Sequence, residues 1–177
     1  MSGMVIWITG LPGSGKSTVA DAVKERYPAF VILRMDDLRK IVTPQPTYSD
    51  DERDLVYRSL ISMAKNLSDL NHDVIIDATG NMRRWRELAR ETISLFAEVY
   101  LTCSLETCRQ REKRRAETHG APRNIYAKGA EGAPVPGVNV VYEEPLNAEI
   151  VIDVEKVSVV DAAERIVRFA ESLRKKV

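Results

Sequence analysis

Short runs of branched apolar residues alternate along the chain with segments in which apolar residues recur three and four positions apart. The runs predict strands that are buried on both faces, and the spaced segments predict amphipathic helices. The predicted strands cover residues 5–8, 30–33, 74–76, 98–103 and 149–153. The predicted helices cover residues 16–26, 49–70, 83–96 and 159–175, the second of them capped by Ser49.

Strands separated by helices favour parallel pairing with right-handed crossovers. We therefore predict an α/β fold, a three-layer sandwich on a five-stranded parallel sheet, in a single domain over residues 1–177. The stretch 115–147 breaks the alternation and contains several prolines and glycines. Because so long a connection inside a compact domain usually serves as a lid or a binding loop, we expect a lid there.

The composition is that of a folded globular protein, with 177 residues, 44% of them apolar and 29% charged. Lys and Arg together number 26, as do Asp and Glu, so the formal net charge is zero, which argues against a nucleic-acid partner. No apolar run approaches the roughly 20 residues of a membrane helix. Cys103 and Cys108 fit no zinc or disulfide pattern, so we expect free thiols and a cytoplasmic location.

Residues 10–17 match the phosphate-binding pattern G-x-x-x-x-G-K-[ST], and they lie between a predicted strand and a predicted helix. In such a loop backbone amides surround a phosphate, while Lys16 reaches the β- and γ-phosphates of ATP and is expected to be catalytic. The Ser17 hydroxyl is the expected Mg²⁺ ligand, and Thr18 is placed to contact the α-phosphate. The expected nucleotide contacts of this loop are Gly10, Gly13, Ser14, Gly15, Lys16, Ser17 and Thr18.

The residues after the third strand indicate the class of P-loop protein. Residues 77–80 match the D-x-x-G of GTPase switches, but the chain contains no N-K-x-D segment to select guanine. We interpret Asp77 as an acid beside the phosphate loop that holds Mg²⁺ through water. The length then favours a small kinase, with ATP and Mg²⁺ as cofactors.

A kinase also needs groups that position the acceptor hydroxyl and accept its proton. Asp36 follows the second strand, at the sheet edge where ligands bind, and is the candidate general base and a second candidate for Mg²⁺ through water. The alternative is that Asp36 or Asp37 caps the next helix. Arg39 and Arg53 are candidates for binding an anionic acceptor, and Tyr48 for stacking on a ring. Tyr48 and Arg53 could each instead be a surface residue or a hydrophobic staple of the helix start.

A cluster of basic residues follows the fourth strand, where a lid would begin. Lid arginines neutralise charge on a transferred phosphoryl group, and we select Arg111 for contact with the nucleotide. We interpret most of the others as a solvated helix face, without assigning which of them reach the phosphates, and we expect no catalytic role for His72 or His119. The cluster comprises Arg109, Arg111, Lys113, Arg114, Arg115 and Arg123.

Several of these segments together resemble the adenylylsulfate kinase family. The loop at 10–17 is close to that family's version, and residues 36–39 resemble its D-N-x-R segment. Residues 48–53 resemble its F-S-x-x-D-R segment, and residues 125–128 its L-Y-x-K segment. The resemblance implies transfer of phosphate from MgATP to the 3′-hydroxyl of adenylyl sulfate, a small anionic acceptor, in sulfate assimilation.

The resemblance also implies individual roles. Asp36 would catalyse, Tyr48 would face the acceptor adenine, and Arg39, Arg53 and Lys128 would bind the acceptor, with Arg111 on the ATP side.

Some positions depart from the family pattern. Arg34 stands where an Asp is usual, residues 79–83 replace an I-S-P-x-R segment, and Val135 stands where a second aromatic residue would cover the acceptor adenine. Two alternatives therefore remain open. One is a P-loop kinase of another acceptor, such as a sugar or a polynucleotide end, and the other is an ATP-binding regulatory module without transfer chemistry. The sequence is compatible with a homodimer.

Overall fold

A computed structural model describes residues 2–116 and 119–175. The described residues form one five-stranded sheet in the order β2-β3-β1-β4-β5, and every pairing is parallel, as predicted. The strands are β1 (Val5–Thr9), β2 (Val31–Arg34), β3 (Val74–Asp77), β4 (Phe96–Thr102) and β5 (Ile150–Asp153).

Helices cover both faces of the sheet and complete the three predicted layers. The helices are α1 (Lys16–Arg26), α2 (Met35–Val42), α3 (Asp50–Asp69), α4 (Arg83–Thr92), α5 (Leu105–Arg114), α6 (Ile125–Ala130) and α7 (Val159–Arg174). Ile6 and Ile8 of the central strand point into a core with α1 and α7, while Val5 and Trp7 point into a core with α3 and α4. None of the helices in the described ranges is long and apolar enough to cross a membrane.

The predicted end of the third helix is wrong. We predicted a helix over 83–96, but α4 ends at Thr92 because Ile93 is extended, with φ −110° and ψ 119°. Phe96 then opens β4 opposite Val5, two residues before the predicted start at Glu98. The apolar residues near 95 continue the helical spacing by chance, but sheet pairing determines their conformation.

The Ser49 cap is confirmed, since Ser49 Oγ accepts the Glu52 amide at 3.2 Å. Helix α2 was not among the predicted elements. It starts at Met35, directly after β2, so Asp36 lies in the first turn of a helix rather than in a loop.

The stretch predicted as a lid has structure of its own. It contains α6, and Tyr126 and Val135 pack there with Cys108 of α5 in a third, smaller core. The Tyr126 hydroxyl donates to Pro12 O in the phosphate loop at 2.5 Å. Residues 117 and 118 of this stretch lie outside the described residues. That the stretch opens and closes stays a prediction.

Candidate active site

A cavity of about 510 Å³ opens at the carboxyl ends of β1, β2 and β3. Its wall combines the phosphate loop, the first turns of α2 and α3, the residues after β3, and the lid stretch. Of the predicted site residues, Gly10 and Ser14 are not in its wall, and Ser14 is fully buried. Those in the wall are Gly13, Gly15, Lys16, Ser17, Thr18, Asp36, Arg39, Tyr48, Arg53, Asp77, Arg111 and Lys128.

The phosphate loop packs tightly against α5. Gly13 has φ +80°, and a Cβ atom there would lie 2.5 Å from Cys108 O. Gly15 has φ +97° and forms the N-cap of α1. Backbone amides at the start of α1 therefore face the cavity without side chains in front of them, which suits a phosphate.

Lys16 lies against the wall of this loop. Its Nζ donates to Gly10 O at 3.1 Å and to Leu11 O at 3.0 Å. Burial lowers the pKa of Lys16, and the carboxylates of Asp77 and Asp36 oppose that shift. The ammonium group is thus held at the end of the cavity that contains both acids.

Asp36 is one of the two acids at this end of the cavity. Burial raises the pKa of Asp36 and Asp77 raises it further, while Lys16 and Arg39 act in the opposite direction. The alternative that it caps a helix is wrong, because Arg34 is the N-cap of α2 and no described side chain makes a capping bond there. Asp37 is exposed and pairs with Lys40 at 3.1 Å.

The oxygen donors near the loop suit a hydrated Mg²⁺ that arrives with phosphates. Ser17, Asp36 and Asp77 all line the cavity and offer a hydroxyl and two carboxylates. Within residues 2–116 and 119–175, no group of three or more His, Cys, Asp or Glu residues could hold a metal alone. Mg²⁺ binds in this way, through few protein ligands and several waters, in phosphoryl-transfer sites.

At the opposite end, Glu52 organises the predicted acceptor residues. It accepts Arg39 Nη1 at 2.8 Å, the Thr47 amide at 2.6 Å and the Tyr48 amide at 3.2 Å. Burial alone would raise the pKa of Glu52, but these donors hold it below its ordinary value. The Arg39 guanidinium also lies 5.0 Å from the centre of the Tyr48 ring. Glu52 thereby fixes a cation and an aromatic ring on one wall.

Arg53 and Val135 come together on the same side. Arg53 is only 7% exposed, and its Nη2 donates to Pro134 O at 3.0 Å. Val135 lines the cavity and packs close to Gly129 of α6. Lys128, also on α6, is exposed at the cavity edge. The lid stretch thus supplies part of the wall around the predicted acceptor residues.

Arg115 also enters the site, although it was not selected from the basic cluster. It lines the cavity, donates from Nη2 to Pro122 O at 2.5 Å, and acts electrostatically on both Asp36 and Lys16. Arg111 lines the cavity too, but its Nη2 donates to Val154 O at 2.8 Å and its Nη1 to Ser14 O at 3.4 Å. Arg115 follows α5 directly, and no sequence pattern distinguished it from the other basic residues of the cluster.

Several other residues of the cavity wall were not indicated by any sequence pattern. The Tyr57 hydroxyl accepts the Gly80 amide at 2.8 Å, and burial raises the pKa of Tyr57 to about 12. Asn81 Nδ2 donates to Val141 O at 3.0 Å. His119 lies 2.9 Å from an Asp21 oxygen. These contacts join segments distant in sequence, so spacing along the chain does not predict them.

Comparison with known proteins identifies the family of the chain. The sequence model of adenylylsulphate kinase matches residues 2–153. The chain belongs to the adenylylsulphate kinase family. A probable adenylyl-sulfate kinase of Archaeoglobus fulgidus is 34% identical, with 86% of this chain and 96% of that protein covered. A probable adenylyl-sulfate kinase of Pyrococcus abyssi is 33% identical, with 98% of both covered.

A solved structure of the same family has the same fold. The Mycobacterium tuberculosis APS kinase CysC, in complex with AMPPNP and APS, superposes with a TM-score of 0.82 at 27% identity. The comparison covers 96% of this chain and 98% of that one. The adenylylsulphate kinase fold therefore extends over nearly the whole chain, and the predicted P-loop kinase architecture is confirmed.

Proposed function

We propose that the chain is a single kinase domain that transfers the γ-phosphoryl group of ATP to the 3′-hydroxyl of adenylyl sulfate, an enzyme of sulfate assimilation. The main support for this proposal is the arrangement of residues around a single cavity. A phosphate loop with Lys16 and two acids forms one end, a wall with Arg39 and Tyr48 forms the other, and Asp36 interacts electrostatically with Lys16 and Arg39. Family membership supports this assignment.

The nucleotide end would hold MgATP. Amides of the phosphate loop and Lys16 bind the β- and γ-phosphates, and Ser17 and the two acids position the hydrated Mg²⁺. The bound metal would neutralise charge shared by the β- and γ-phosphates. Lys16 and Arg115 add fixed positive charge where the transferred group becomes most negative.

Asp36 is the group proposed to accept the proton of the acceptor hydroxyl. Its raised pKa brings it nearer to neutral pH, where a general base works best. Oxygen of the acceptor then forms a bond to the γ-phosphorus while the bond from that phosphorus to the bridging oxygen of ADP breaks. In-line transfer needs positioning more than covalent chemistry. The residues of the cavity wall provide this positioning.

The acceptor end suits a flat ring that carries anionic groups. Tyr48 offers one stacking face, and Arg39, Arg53 and Lys128 offer positive charge. Val135 in place of a second aromatic side chain removes one stacking contact, worth roughly 1–3 kcal/mol by comparison with bases on aromatic residues. A neutral sugar would offer no anionic group to Arg53 and Lys128, which disfavours it.

The test is ADP release over a panel of acceptors. We expect turnover with adenylyl sulfate and little with gluconate or an oligonucleotide bearing a 5′-hydroxyl. Turnover of one of the latter in place of adenylyl sulfate would support a kinase of another acceptor. ATP binding without ADP release over any acceptor would support the regulatory module.

A cytoplasmic location and a homodimer complete the proposal. The two cysteines are free thiols, which suits a reducing compartment. Apolar side chains at the edge of the sheet, Leu146 and Val151, are 71% and 57% exposed and are available for a second copy. Sedimentation equilibrium checks the dimer, and a monomer at all concentrations would contradict it.

A further inference from the structure

Arg34 places a guanidinium beside Asp77 at the carboxyl ends of two neighbouring strands. Arg34 ends β2, Asp77 ends β3, and the parallel register pairs the two residues directly. Residues paired in this way stand on the same side of a sheet, about 4.8 Å apart. Arg34 Nε lies 3.8 Å from Asp77 Oδ2, so the register itself produces the ion pair.

Asp21 of α1 holds the guanidinium from another side. Arg34 Nη2 donates to Asp21 Oδ1, and the Arg34 side chain is only 16% exposed. His119 Nε2 lies 2.9 Å from the second oxygen of Asp21. Arg34 is therefore fixed between two carboxylates, and a rotation into solvent would break both contacts.

Asp77 itself belongs to the proposed Mg²⁺ site. It lines the cavity and is the leading charged influence on both Lys16 and Asp36. Arg34 is not in the cavity wall formed by the described residues, and Asp77 is the wall residue with which it forms an ion pair. One oxygen of Asp77 faces Arg34, and that contact limits how the carboxylate can turn.

We infer that Arg34 is a positioning residue for the Mg²⁺ site: it orients the Asp77 carboxylate and offsets part of the negative charge that a hydrated Mg²⁺ meets. The inference rests on the proposed function for the nucleotide and the metal. A positive charge this close weakens the attraction between the acids and a divalent cation. Arg34 thus sets the metal affinity of the nucleotide complex below the value that the acids alone would give.

Calorimetric titration of ADP with and without Mg²⁺ measures this effect without any turnover. The quantity compared is the ratio of the ADP dissociation constant without Mg²⁺ to that with Mg²⁺. In Arg34→Gln the ratio should rise about five- to tenfold, because a positive charge near the metal is lost. Metal-free ADP affinity should stay within about twofold, since Arg34 does not contact the cavity.

Three further variants distinguish an effect of the Arg34 charge from a purely structural effect of the substitution. Arg34→Lys keeps the charge and should keep the ratio within about twofold of the wild type. Asp21→Asn removes one of the two carboxylates that hold Arg34, so Arg34 can move closer to Asp77. The ratio should then fall. Arg168→Gln removes an exposed arginine on α7 that pairs only with Glu164 among the described residues, and it should change nothing.

An unchanged ratio in Arg34→Gln, with metal-free ADP binding intact, would overturn the inference and leave the proposed function standing. If Arg34→Gln does not fold, an unchanged or higher ratio in Asp21→Asn would overturn it equally. Failure of the wild type to bind ADP at all would overturn the proposed function and this inference with it.

Discussion

Lys16 lines the cavity, and Asp77 and Asp36 are the charged groups that act on it most strongly, so its charge lies beside the acids of the site. Lys16→Ala should lower turnover on the order of 10²–10⁴-fold, because fixed charge at the transferred phosphate is lost. The melting temperature should change little, since Lys16 is not part of the apolar cores. Steady-state kinetics and thermal unfolding check both statements, and normal turnover would refute the phosphate-loop assignment.

Asp36→Asn preserves the size of the side chain but cannot accept a proton. Turnover should fall on the order of 10²-fold or more, while the dissociation constant of ATP stays nearly constant. Asp37→Asn is the matched control, because Asp37 is exposed and pairs only with Lys40 among the described residues. Equal turnover in the two variants would remove Asp36 from the mechanism.

Glu52 stabilises the folded state only in its ionised form. Its donors hold the pKa of Glu52 below the ordinary value of about 4.5, so this stability is present above that pH and is lost as the pH falls through the lower, folded-state value. Glu52→Gln should cost about 1–2 kcal/mol of unfolding free energy at pH 7. The difference from wild type should shrink as the pH falls below about 4.5 and through the lowered pKa of folded Glu52, as urea unfolding at several pH values can show. A difference independent of pH would contradict this.

At the scale of elements, the lid stretch contacts both ends of the cavity. Tyr126 bonds to the phosphate loop, and Pro134 accepts Arg53 from α3. Closure there would exclude water from phosphoryl transfer. Amide exchange over 119–147 should slow when nucleotide and adenylyl sulfate are both bound, relative to the free protein. Equal exchange in the two states would show that the stretch does not close over the ligands.

The elements also show what the sequence can predict. The phosphate loop was predictable because its conformation is local: a strand, a glycine-rich turn and a helix N-terminus, all within residues 5–26. The parallel sheet was predictable from the order of its elements. Helix α2 was missed because it has only eight residues before the prolines at 44 and 46, too few for its apolar spacing to indicate a helix by itself.

The acceptor wall was predictable only in part. Tyr48, Arg39 and Arg53 were identified from their chemistry and from family resemblance, but Glu52 was given no role of its own within the segment 48–53. In the structure its carboxylate binds Thr47, Tyr48 and Arg39. Such a contact between α2 and the start of α3 depends on tertiary packing, which spacing along the chain does not encode.

At the scale of the whole molecule, the sheet order places the site. β1 lies between β3 and β4, so the phosphate loop after β1 lies beside Asp77 at the end of β3 and near Asp36 after β2. The lid stretch then returns over the same edge. One cavity can therefore hold a nucleotide and an acceptor together, which direct transfer between them requires.

The most direct test of the proposed reaction is transfer of label from γ-³²P-ATP to adenylyl sulfate, with the 3′-deoxy analogue of adenylyl sulfate as the matched acceptor. We expect a labelled product from adenylyl sulfate, none from the analogue, and loss of the product in Lys16→Ala. Label on the analogue would contradict the 3′-hydroxyl as acceptor, and no label on either compound, with ATP bound, would contradict kinase activity toward adenylyl sulfate.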